Sequence, residues 1–151
     1  MRFTMSRLLL LVTTGALLWI TPLPAAETFS ADDRDEQTLI NTKHFGFGAI
    51  NADGQVTEGE AALKRIVKQE GGINRLFPVF DRATLAGKCY ALAGIRHLAP
   101  NSFEDFCKQL EPWKSLRVKT AVGNKVVEEK LSDVIGMIRS GFYSNYLGST
   151  E

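Results

Sequence analysis

After residue 26, each apolar run that repeats at helical spacing is cut off by Gly or Pro within about four turns, so this chain can build only short helices. Thr57-Glu58-Gly59-Glu60 reads as a capping box, in which Thr57 takes a backbone N–H and Glu60 reaches back to the cap. Ala62, Leu63, Ile66 and Val67 then recur at helical spacing until Gly71-Gly72. Ile73, Leu76, Phe77 and Phe80 make a second apolar face, which Pro78 weakens or divides. The best-formed helix is expected over residues 85–98, where Leu85, Cys89, Leu92 and Ile95 are apolar and Gly87, Ala91 and Gly94 form a row that admits a neighbouring helix closely. Pro100 ends it. Ser102 is placed to cap the next helix, with Phe103, Phe106, Cys107 and Leu110 behind it and Pro112 at its end. A last helix is expected over about residues 127–139, carrying Val127, Leu131, Val134, Ile135 and Ile138, with Gly141 as its stop.

These patterns predict a mainly α fold, a small bundle of short helical hairpins, with room for one short strand or hairpin. Residues 44–50, broken by Gly46 and Gly48, are the strand candidate, and Val122-Gly123-Asn124-Lys125 is a turn candidate. Residues 27–44, with the charged cluster Asp32-Asp33-Arg34-Asp35-Glu36, read as an N-terminal arm with room for a short helix. Residues 45–151 read as a single helical domain, which suits a chain of 151 residues.

Residues 1–26 have the layout of a signal peptide: Arg2 and Arg7, an apolar stretch over residues 8–20 (LLLLVTTGALLWI), then Pro and small residues up to Ala26. The apolar stretch has 13 residues, short of the ~20 needed to span a bilayer as a helix. Cleavage after Ala26, or one residue earlier, is expected, which leaves no stable membrane anchor and puts the mature chain in the periplasm or outside the cell. It also moves the net charge from +1 to −1, because two arginines and no acid are removed. Near-neutral charge argues against a nucleic-acid partner, and Lys64, Arg65 and Lys68 make only a small helical patch.

An oxidising compartment favours a disulfide between Cys89 and Cys107. The two stand nine residues either side of Leu98, level with one another in an antiparallel helix hairpin. A bridge would close a loop of about 17 residues, worth ~3 kcal/mol in the chain-entropy model. The alternative is two buried free thiols packing as small hydrophobes.

Asn51-Ala52-Asp53-Gly54 with Glu60 partly matches a calcium-binding EF-hand loop: Asn51 at position 3, Asp53 at position 5, Gly54 at the turn and Glu60 at position 12. Ala49 stands where the first ligand belongs, so an Asn/Asp-Gly turn before a capped helix is the competing reading. Candidate metal ligands are therefore Asn51, Asp53 and Glu60. His44 and His97 lie in no recognised nucleophile motif, and His97 suits a helix C-terminus. No catalytic residue is assigned and no cofactor is expected.

Three pieces of the chain, Phe45-Gly46-Phe47-Gly48, Thr57-Glu58-Gly59-Glu60-Ala61-Ala62 and the run Ala86-Gly87-Lys88-Cys89-Tyr90-Ala91-Leu92-Ala93-Gly94, resemble a group of small exported bacterial helical proteins. Those proteins carry F-G-x-G, S/T-x-G-E-x-A and A-G-x-x-Y-A-L-x-G motifs. The resemblance covers about residues 45–140 and implies HEAT-like helical hairpins in the periplasm or at the cell surface. It implies no activity. Members of that group tend to carry Cys where Ala93 stands and another within residues 121–124, so a bridge here would be placed differently. The expected function is binding of another envelope protein, of immunity or inhibitor type, through Phe45 and Phe47 or through Phe142, Tyr143 and Tyr146. A small periplasmic hydrolase using Glu60, Asp53 or His97, and a calcium-dependent binding module, are the alternatives.

Overall fold

The computed structural model describes residues 30–48 and 55–148; the segment read as a signal peptide, Asn51 and Asp53 lie outside them. The fold is mainly helical. Its elements are α1 (Ala31–Asn41), α2 (Glu58–Lys68), α3 (Gly72–Arg82), α4 (Leu85–Leu98), α5 (Phe103–Leu110), a 3-10 turn (Glu111–Trp113), β1 (Arg117–Val122), β2 (Lys125–Lys130), α6 (Leu131–Arg139) and α7 (Ser144–Leu147).

Helix α4 is the centre. Residues 89–95 are all buried, so this stretch of the helix is enclosed on every side. Its partners include α1, α2, α3, α5, α6, α7 and β1. Two glycines set the close approaches. A Cβ on Gly87 would lie 2.1 Å from the Leu39 carbonyl oxygen of α1, and one on Gly94 would lie 2.5 Å from a Leu76 methyl of α3. The row of small residues is therefore what lets α1 and α3 pack against α4.

Residues 31–41, within the segment read as an arm, form α1 and dock through buried Leu39 and Asp35. Ser30 and Asp33 close a capping box at its start. Asp35 is held by Arg65 of α2, whose Nε lies 3.0 and 2.9 Å from the two carboxylate oxygens. That pairing, with Lys64 bound to Glu60, ties up two of the three charges in the basic patch.

Pro78 does not divide its helix. α3 runs unbroken through it, because Leu76, Val79 and Phe80 are buried on the opposite side and that burial offsets the lost hydrogen bond. Ser102 makes no side-chain cap; it has helical φ and ψ, so it continues the turn before α5.

The last helix is shorter than its sequence pattern. Residues 125–130 form β2, paired antiparallel with β1 in the register Val122↔Lys125 to Arg117↔Lys130. Gly123, at φ 58°, takes the first position of the two-residue turn, as a type II′ hairpin requires. That reversal pulls Val126 and Val127 into an extended strand, and α6 begins only at Leu131. On its other edge β1 meets the residue 45–48 loop in a single parallel bridge, Phe45↔Thr120, with Phe45 N–H donating to Lys119 O at 2.9 Å and Ala121 N–H to Phe45 O at 2.7 Å.

The expected Cys89–Cys107 bridge is not formed. Both residues are buried free thiols that do not lie near one another. The four residues linking α4 to α5 belong to neither helix, so equal sequence distance from Leu98 is not equal height. Cys89 lies about 13 Å along α4 from its end, whereas Cys107 is only about 6 Å into α5. A disulfide needs Cα atoms within about 7 Å as well as converging Cβ vectors.

Candidate functional site

The three motif segments meet at one place. Tyr90, on α4, inserts its hydroxyl into the turn of the 45–48 loop, where it accepts from Gly46 N–H at 3.0 Å and lies 2.7 Å from Gly46 O. Thr57 Oγ1 is 2.6 Å from the same hydroxyl and 3.3 Å from Gly46 O. The two hydroxyl hydrogens thus serve Gly46 O and the Thr57–Tyr90 contact. Thr57 also accepts Glu60 N–H at 3.0 Å as the cap of α2.

Glu60 is fully buried. Its Oε2 accepts Gly48 N–H at 2.8 Å. Oε1 meets Lys64 Nζ at 2.6 Å as an ion pair, out of hydrogen-bond alignment, and has no hydrogen-bond donor among the described residues. The carboxylate is directed at the loop rather than back at the cap. Held in this way, it is not exposed to a hydrolase substrate. Among the described residues no group of three or more His, Cys, Asp or Glu side chains could hold a metal ion. His97 sits exposed in the last turn of α4.

The glycines of these motifs follow from the same geometry. A Cβ on Gly59 would lie 2.5 Å from the Tyr90 ring, and one on Gly46 would lie 2.5 Å from Ala121 O. Gly48 has φ 88° and lies under the Tyr146 ring.

The pinned loop presents one wall of an open groove of about 350 Å³. Phe45, fully buried, forms its floor. Phe47 stacks on Tyr143 with ring centroids 4.8 Å apart and lies 5.7 Å from Tyr146. Phe45 meets Tyr143 edge-on at 5.1 Å, and Phe142 meets Tyr143 at 5.1 Å. Two candidate surfaces that are about a hundred residues apart in the chain are therefore a single site.

No protein-family model matches this chain, and no curated protein or solved structure matches it either. The groove's chemistry is read from its own side chains. Phe142 and Tyr146 are 56% and 38% exposed, and Val122 on the rim is 60% exposed. Tyr143, in contrast, packs back on α6, its hydroxyl 3.8 Å from Met137 sulfur. Sequence reasoning missed Glu129 as a lining residue because it placed residues 127–130 in a helix, and it singled out neither Val122 nor Met137.

Several acids around this core keep their protons unusually well. Burial pushes the Tyr90 hydroxyl and the Cys89 thiol up to about 12, and the Cys107 thiol to about 11. Burial, with the Glu129 charge adding to it, raises Tyr143 as well. In the unfolded chain such groups release protons from about pH 8.5–10. The unfolded state then binds fewer protons than the folded state, so stability is full below that range and falls as pH climbs through it towards 12. Thermal melts between pH 7 and 11 are expected to show a midpoint that is flat at first and drops above about pH 9, and Cys89→Ala should shallow that drop. A midpoint unchanged up to pH 11 would contradict the burial of these groups.

Proposed function

We propose that this is an exported, non-catalytic binding protein that docks another envelope protein, in the manner of an immunity protein or inhibitor, through the aromatic groove. The observation that carries the reading is the groove itself. Phe142, Tyr146 and Val122 are left exposed beside a loop whose backbone is held rigid by Tyr90, Thr57 and Glu60. Exposed aromatics grouped on a rigid support are the composition of an interface centre, where a few such side chains carry most of the binding energy. Export is supported by the layout of residues 1–26, and by the resemblance of the three motifs to small exported bacterial proteins.

The test compares the tagged mature protein with a Phe142→Ser/Tyr146→Ser variant as baits on envelope fractions of the native cell. The wild-type chain should retain one stoichiometric protein, and the variant, its fold checked by circular dichroism, roughly tenfold less or lower. Equal capture by the two baits would place binding elsewhere on the surface.

A further inference from the structure

The groove is not simply apolar. Its described lining contains one ionised side chain, Glu129 of β2, and no Lys, Arg or His. Glu129 is half-buried and forms no ion pair among the described residues. Other carboxylates of the fold do find cations: Glu60, Asp35, Glu36 and Glu104 pair with Lys64, Arg65, Arg75 and Arg139.

The strand register explains why Glu129 is left alone. Residues Val118, Thr120 and Val122 share a face with Glu129, Val127 and Lys125. The only base on that face, Lys125, is four residues along the strand from Glu129, about 13 Å away. Arg117, Lys119, Glu128 and Lys130 belong to the opposite face. The Glu129 charge also acts on the phenol of Tyr143, so the carboxylate faces the aromatic cluster.

We propose that the groove receives a basic side chain of the docked protein, with its aliphatic stem between Phe142 and Tyr146 and its cationic head at Glu129. Aromatic rings attract cations through the negative potential of their faces, and one carboxylate at the wall of a partly desolvated groove supplies the opposite charge. A neutral apolar side chain would leave Glu129 half-buried and unpaired. An acidic one would meet a like charge. The inference rests on the groove being the docking site and adds the chemistry of what enters it.

Two probes with the same four-carbon stem isolate the charged head: N-acetyl-lysine methylamide and N-acetyl-norleucine methylamide, which lacks the ammonium group. Each is titrated into the ¹⁵N-labelled mature protein, and amide shifts of Phe47, Gly123 and Tyr146 are followed. The lysine probe should bind saturably and roughly fivefold or more tightly than the norleucine probe, with the preference lost in Glu129→Gln. Equal affinity of the two probes, or a preference that survives Glu129→Gln, overturns the proposal. So do shifts at these amides that follow protein concentration without any probe, since a second copy would then occupy the groove.

Partner capture separates this inference from the reading beneath it. If Phe142→Ser/Tyr146→Ser loses the partner and Glu129→Gln keeps it, the groove docks a protein but the cation proposal fails. If no partner is captured yet the lysine preference depends on Glu129, the cation site stands without the docking role.

Discussion

Phe45→Ala is expected to lower the stability of the fold by about 3–5 kcal/mol, the usual cost of truncating a fully buried aromatic ring. Phe45 is fully buried and meets three other rings edge-on: Phe47 at 5.5 Å, Tyr90 at 4.9 Å and Tyr143 at 5.1 Å. Its backbone supplies the bridge to β1, so the cavity would open where the loop, α4, α7 and the hairpin are joined and cannot readily collapse. Denaturant melts read the loss directly as a lower midpoint at unchanged slope. Phe142→Ala makes the contrast. That ring is 56% exposed, and its removal should change stability by no more than about 0.5 kcal/mol. Equal losses for the two variants would refute the division between a structural floor and an accessible wall.

Tyr90→Phe is the second large effect, about 2–4 kcal/mol for the removal of one oxygen atom. The ring still fits, so little packing is lost. What disappears is the side-chain acceptor of Gly46 N–H, a buried group of the loop, and an orphaned buried donor costs about 1–3 kcal/mol by itself. Gly46 O keeps Thr57 within reach at 3.3 Å, but Thr57 loses its 2.6 Å contact to the phenol. Because both residues serve one carbonyl, Thr57→Val and Tyr90→Phe should not be additive in a double-mutant cycle. Additive losses would mean that the loop is not held by a shared network.

Local signals were readable and non-local ones were not. The run from Leu85 to Leu98 carries apolar and small residues at helical spacing and is stopped by Pro100, and the helix occupies those residues. Thr57 was legible as a cap from its own neighbourhood. Glu60 was singled out by spacing, but its partner Gly48 lies 12 residues away across a turn that spacing does not describe. Residues 125–130 misled for a physical reason. Lys125-Val126-Val127-Glu128-Glu129-Lys130 is exposed or half-exposed along its length, so it lacks the two-residue alternation that marks a half-buried strand. The Gly123-Asn124 turn was visible. The strand it commits the chain to was not, and with it went the hairpin wall of the groove and its lone carboxylate. Gly87 was legible as a point of close helix approach, but its partner was not, and the contacts that require Gly46, Gly59 and Gly87 (the Ala121 carbonyl, the Tyr90 ring and the Leu39 carbonyl) are each reached only in the folded chain.

A photocrosslink shows whether a partner sits on the aromatic groove. p-Benzoylphenylalanine is placed at Phe142, and in a second protein at Glu70, an exposed residue beyond α2 that takes no part in the groove. Both proteins are produced in the native cell and irradiated before lysis. Position 142 should give one discrete adduct of constant mass and position 70 none. An adduct from 70 with none from 142, or the same adducts from both, would contradict it.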